Sequence, residues 1–225
     1  MAKAAKVLAE DDPDRIDSRS RLVDAATDLF IKRGFRDVSI REIADAAGTN
    51  SALISYYFGD KEGLFRQIYK DTVEPFNTAR MINFDLIEQA GVITVESVVE
   101  AWVAPMFLGT SLAKQSPVAT LSLSLDAEYS KLTEQLVVEV YDEVNERLLS
   151  LLERCLRGIS RPTLVWRLWF LIGAWLIASR PHSRSVKNLS RGLMNLQDPD
   201  ELIAQLVAFA AAGFLAPEPP ARRPG

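Results

Sequence analysis

Cysteine and histidine are almost missing from this sequence: Cys155 and His182 are the sole members of their kinds. One thiol closes no intrachain disulfide and holds no thiolate cluster, which points to a reducing compartment and to a small hydrophobe at Cys155. One imidazole, set between Pro181 and Ser183, supplies neither a histidine-based triad nor a zinc site. A phosphate-binding glycine loop and paired carboxylates in a distinctive context are also lacking, so the sequence offers no catalytic residue, no metal site and no cofactor. Long hydrophobic runs are absent too. The two apolar stretches, residues 168–178 and 206–216, fall well short of the roughly 20 residues that cross a bilayer. The opening "MAKAAKVLAEDDPD" has no charged head followed by an apolar run, so it is no secretory signal. A cytoplasmic protein without a membrane partner is expected.

Strand-like alternation is scarce as well, and apolar residues at helical spacing fill the chain, so the fold class is all-α. Leu22, Val23, Ala26, Leu29 and Phe30 form one stripe, closed by Gly34. Ser39 and Glu42 make a capping-box pair, with Val38 and Ile43 placed as its hydrophobic staple. Gly48 suits the left-handed position after the end of that helix, and Asn50 offers a cap for the next, over residues 51–57. Asp60 caps a longer helix reaching about residue 80, bent at Pro75. Further helices are expected over 95–113, disturbed at Pro105, and over 117–127, 130–157, 161–180 and 198–215.

Two short helices about a glycine turn make a helix-turn-helix, whose second helix enters the major groove of DNA. Ile43 packs inward, Ala44 is small at the helix crossing, and Ile54 anchors the second helix from beneath. The outward face of that helix carries Ser51, Ala52, Ser55 and Tyr56, with Leu53 and Tyr57 at its margins. Small polar side chains let base edges approach, and alanine or leucine packs on thymine methyls; a merely solvated face would more typically carry lysine and glutamate. Lys61 lies in the first turn of the following helix, where the dipole disfavours a cation. A phosphate there would be held by backbone N–H groups and by the ammonium together. Ser39, Arg41, Asn50 and the two phenols are candidates for the same positioning. The net charge of −4 argues against a nucleic-acid partner, but residues 15–70 carry ten bases against eight acids, which leaves −6 on the rest.

The segments "AATDLFIKRGF", "SIREIADAAGTNSALISYYF" and "DKEGLF", within residues 18–65, resemble the DNA-binding domain of the TetR family of bacterial transcriptional regulators. Thr49 stands where the family usually has valine. Ser55 stands where it commonly has a tyrosine that touches DNA, which shifts that task toward Tyr56 and Tyr57. The resemblance implies about nine helices, a ligand-controlled repressor and a homodimer on a palindromic operator. A second reading is a ligand-independent DNA-binding organiser coupled to a protein partner.

The second half carries its own argument for self-association. "TLVWRLWFLIGAWLIAS" and "ELIAQLVAFAAAGFLA" are apolar around most of their circumference and need cover on more than one side. A two-fold four-helix interface would bury Leu168, Leu171, Gly173, Trp175, Leu206, Phe209, Ala212 and Gly213. The middle helices would enclose a small-molecule effector against Trp102, Met106, Phe107, Tyr129 and Tyr141, with Arg147 or Arg167 as an anionic anchor. "WRLWFLIGA" is similar to the corresponding helix of TetR members linked to fatty-acid metabolism, which implies a lipophilic or acyl-bearing effector. The expected domains are an N-terminal tail over 1–14, a helix-turn-helix domain over 15–65, an effector-binding and dimerisation domain over 66–215, and a C-terminal tail over 216–225.

Overall fold

The computed structural model describes residues 13–107, 119–121, 130–178, 184–195 and 198–220, and every regular element among them is helical. The expectations at Tyr129 and His182, and most of the helix expected over 117–127, lie outside the described residues. The chain divides into two compact units, one of residues 1–71 with 121–133, the other of residues 72–120 with 134–225.

The first unit contains α1 (Pro13–Arg33), α2 (Ile40–Ala46), α3 (Ala52–Phe58) and the start of α4 (Lys61–Ala90). Helix α1 extends well ahead of the stripe that starts at Leu22, with Pro13 in the first position, where a missing N–H costs nothing. Leu22, Ala26 and Phe30 on α1 are fully buried, as are Phe35, Ile43, Ile54, Leu64 and Phe65. Three aromatic rings meet at the centre: Phe35 and Phe65 lie 4.9 Å apart edge-on, with Phe30 5.3 Å from Phe65 and 5.5 Å from Phe35. Such tilted pairs add about 0.5–1.5 kcal/mol each beyond their burial.

The second unit takes the remainder of α4, then α5 (Val95–Val103), a 3-10 turn at Ala104–Met106, α6 (Ser130–Cys155) from residue 134 onward, α7 (Arg161–Ala178), α8 (Arg184–Leu189) and α9 (Pro199–Leu215). Helix α9 packs on α5 and α7. Pro105 ends α5 in the 3-10 turn, as expected of a residue that breaks the helical bond ladder. Helix α4 continues past residue 80 to Ala90, with Pro75 inside it. The proline has no N–H for the carbonyl of Asp71, and the boundary between the two units falls beside that carbonyl. Helix α8, six residues long, was not expected: it is too short to display a periodic stripe.

Arg80 escaped the sequence reading. It is 1% exposed and donates from Nε to the Trp102 carbonyl at 2.8 Å and from Nη1 to Asn77 Oδ1 at 3.0 Å. Its guanidinium lies 3.9 Å from the centre of the Trp102 ring, and Trp102 Nε1 donates to Asn145 Oδ1 at 3.2 Å. A buried charge is tolerated only with partners of this kind. Asp85 and Glu88 near the end of α4 pair with Arg147 on α6, and Glu88 also takes Arg154. Arg154 foremost holds the Glu88 carboxyl below the usual range.

The segment after α9, expected as a tail from residue 216, is held to α7 over its described part. Arg167 donates to the carbonyls of Phe214, Ala216 and Pro217 at 2.7, 2.8 and 3.1 Å, which closes the C-terminal end of α9. Glu218 accepts from the Ser160 amide at 3.0 Å and from the Ser160 and Thr163 hydroxyls, each at 2.6 Å. Those donors, led by the Ser160 hydroxyl, bring its pKa down to about 2 from 4.5. A depressed carboxylate stabilises the fold above its unfolded pKa and loses that contribution as pH falls through the folded one. Hydrogen exchange at residues 214–218 is therefore expected to stay slow above pH 4.5 and to accelerate from there toward about 2, beyond the intrinsic pH trend, while Glu218→Gln flattens this dependence.

Candidate nucleic-acid interface

Helix α2 starts with its capping box complete: Ser39 Oγ accepts from the Glu42 amide at 3.2 Å, and Glu42 Oε2 accepts from the Ser39 amide at 2.8 Å. The same carboxylate meets Arg33 Nη1 at 2.7 Å, and Arg33 also donates to the Asp37 carbonyl. Arg33, then Ser39, lower the Glu42 pKa to about 2. Gly48, at φ 61°, turns the chain after α2, and Thr49 returns its amide to the Ala44 carbonyl at 2.9 Å. Asn50 Oδ1 accepts from the Ala52 amide at 2.9 Å, so it caps α3 as the sequence suggested. With Ile54 fully buried beneath, α3 presents Ala52, Ser55 and Tyr56 outward, while Ser51, Leu53 and Tyr57 are half-buried. Tyr56, 64% exposed, stands edge-to-face against Tyr57 at 5.0 Å. Arg41 is exposed and 3.9 Å from Asp45.

The junction between α3 and α4 was underestimated. Asp60 Oδ1 accepts from the Gly63 amide at 2.8 Å and caps α4. A Cβ on Gly63 would lie 2.0 Å from the Phe58 carbonyl oxygen, so the end of α3 approaches α4 as closely as only glycine allows. Lys61 is turned inward: its Nζ donates to the carbonyls of Phe35 and Val38 at 2.9 and 2.8 Å and lies 4.3 Å from the centre of the Phe35 ring. Burial pushes its pKa down, against the pull of Asp37, Glu42 and Glu62. Two of the three ammonium N–H groups thus tie the start of α4 to the chain between α1 and α2, a role the position in the first helical turn did not disclose. Thr49 Oγ1 is buried and has no hydrogen-bond partner among the described residues.

In the second unit, Trp102, Met106 and Phe107 are 2%, 1% and 2% exposed, and Tyr141 is half-buried. The expected anionic anchors already have protein partners, Arg147 in its carboxylates and Arg167 in the end of α9. Helix α7 carries two apolar stripes. Leu164, Leu168, Leu171 and Trp175 are buried within the chain, whereas Trp166, Phe170, Gly173 and Ile177 are exposed at the same spacing, beside exposed Trp169. On α9, Leu206 faces inward, and Phe209, Ala212 and Gly213 face out. Of the eight residues expected between subunits, Leu168, Leu171, Trp175 and Leu206 therefore belong to the chain's own core, because the inward stripe uses them first.

These features define a helix-turn-helix protein with a separate, larger helical unit. Residues 22–68 match the family described as bacterial regulatory proteins, tetR family, and residues 100–213 match its tetracyclin repressor-like C-terminal domain. The chain belongs to the TetR family, whose members are DNA-binding transcriptional regulators and not enzymes. It is 35% identical over 63 residues to a probable HTH-type transcriptional regulator, YttP, of Bacillus subtilis, covering 28% of this chain and 30% of that protein. It is 31% identical over 116 residues to the regulator BetI of Brucella melitensis, covering 50% of this chain and 54% of BetI. The matches thus span from under a third to about half the length of these curated relatives. Among solved structures, the fatty acid degradation regulator FadR of Bacillus halodurans superposes with TM-score 0.62 at 16% identity, over 86% of this chain and 98% of that one. FadR of Bacillus subtilis, solved in complex with stearoyl-CoA, gives 0.61 at 14% identity with the same coverage. Both likenesses concern the fold.

Two substitutions test the site's construction. Thr49→Val removes a hydroxyl buried without a partner and is expected to stabilise the protein by about 1 kcal/mol, read as a rise in denaturation midpoint at unchanged m-value. Lys61→Met keeps the apolar stem and loses the N–H donors, with an expected loss of about 1–3 kcal/mol. A DNA-binding salt slope that also falls by about one unit would add a phosphate to the contacts of this ammonium.

Proposed function

We propose that the protein is a homodimeric repressor acting in the cytoplasm on a palindromic operator and released from it by a small-molecule effector. The observation that carries this reading is the outer stripe of α7 with its neighbours on α9: Trp166, Trp169, Phe170, Ile177 and Phe209 are all more than half exposed. Aromatic side chains carry about 150–250 Å² each, so leaving one of them to water costs about 2–4 kcal/mol at ~25 cal/mol/Å². A second copy related by a two-fold axis covers the outer faces of α7 and α9 at once, with Gly173, Ala212 and Gly213 allowing close approach. Two-fold symmetry also sets two α3 helices about one DNA turn apart, ~34–36 Å, as adjacent half-sites require.

On each half-site, Ala52, Ser55 and Tyr56 face the base edges, flanked by Ser51, Leu53 and Tyr57, while Ser39, Arg41 and Asn50 lie along the phosphates and Lys61 offers them the one N–H that its two carbonyl bonds leave. The effector binds in the second unit against Trp102, Met106, Phe107 and Tyr141. A lipophilic, acyl-bearing molecule is favoured by the apolar character of these residues and by the fold shared with an acyl-CoA-binding regulator. Helix α4 belongs to both units and is one covalent route between effector and DNA. The effector acts by preferring a form of the protein that fits both half-sites less well.

Selection of bound duplexes from a random DNA library, at a stated salt concentration, is expected to enrich one palindrome. Long-chain acyl thioesters added to that complex should weaken it roughly 5–150-fold, the usual range of allosteric coupling. Enrichment of a palindrome with no response to any metabolite would favour the ligand-independent organiser.

A further inference from the structure

Residues 179–197, between α7 and α9, contain Arg180, Arg184, Lys187 and Arg191 and no aspartate or glutamate, in a chain whose net charge is −4. After α8 the backbone closes on itself: the amides of Arg191, Gly192 and Leu193 donate to the carbonyls of Asn188, Lys187 and Ser190 at 3.0, 2.9 and 3.0 Å. Arg191 adopts φ 54°, a left-handed conformation that non-glycine residues seldom take. The end of α8 and this turn leave Leu189 and Leu193 outward, 82% and 84% exposed, in alternation with the exposed cations Lys187 and Arg191.

The second unit carries a surface of opposite pattern. On α6, Val138 is 51% exposed, and Glu134 and Asp142, both exposed, stand one helical turn to either side. Residues four apart share a helix face, so α6 presents an apolar centre with an acid at each end. The segment over residues 187–193 alternates bases with apolar residues. The named residues of both surfaces are exposed in the single chain, which leaves each able to meet a second molecule.

We infer that the loop over residues 187–194 docks on this face of α6 in a second copy of the chain, Lys187 and Arg191 meeting Glu134 and Asp142 while Leu189 and Leu193 cover Val138. The inference rests on the dimer proposed above and deepens it: α7 and α9 supply apolar adhesion, and the loop supplies a charge-coded contact. In a two-fold dimer the contact occurs twice, so every substitution is felt twice.

The test uses two full-length variants, Lys187→Glu with Arg191→Glu, and Glu134→Lys with Asp142→Lys, studied alone and mixed by sedimentation and native mass spectrometry. All four positions are exposed, and circular dichroism checks the fold. Each variant alone is expected to raise the dimer dissociation constant about tenfold through like charges at both contacts. Mixed in equal amounts, they should form heterodimers within about threefold of wild-type affinity, because both contacts are then opposite in charge. Variants that dimerise like wild type, or a mixture without heterodimer preference, overturn the inference and leave the dimer standing. A loop reversal that weakens binding to DNA or anionic vesicles, with dimerisation untouched, overturns it in favour of a polyanion. A wild-type chain that stays monomeric at every concentration removes the dimer reading itself, and this inference with it.

Discussion

Helices α2 and α3 have seven residues each, far below the ~12–15 residues at which an isolated helix becomes even marginally stable. Their shape is therefore borrowed from the cluster of Phe30, Phe35 and Phe65, to which α1, the following turn and α4 all contribute. Lys61 fastens the same assembly from its edge through two backbone carbonyls. The outward residues of α3 have a defined position in space only because this small core has no slack.

The helix-turn-helix was legible because each of its boundaries is written in specific residues. The capping box at Ser39, the turn at Gly48 and the caps at Asn50 and Asp60 are all realised in hydrogen bonds. The inward course of Lys61 was not legible, since a flexible four-carbon side chain can reach solvent or protein from the same Cα. Nor was the need for Gly63, whose signal is a close approach between two helices rather than a local pattern.

The second unit was less readable for a different reason. Periodicity announced apolar helices but not which stripe of α7 faces inward, because both stripes have the same spacing and chemistry. Sequence offers Arg147 and Arg167 as cations for an effector, whereas both hold protein groups, and Arg80, which no pattern marks, does the same. Helix α4 was expected to stop near residue 80; its continuation through Pro75 reflects the long packed face, including fully buried Val73 and Phe84, that outweighs one missing hydrogen bond.

The two stripes of α7 bear on how such a chain can change over evolutionary time. Glycine at position 63 admits no substitute without moving backbone, whereas a leucine facing another apolar helix can be exchanged for a residue of similar volume at modest cost. Drift is thus channelled: the DNA-reading unit is held to particular letters, and the larger unit to a volume and a pattern. Families of regulators built this way can acquire new signals by repacking the second unit while the reading apparatus keeps its spelling.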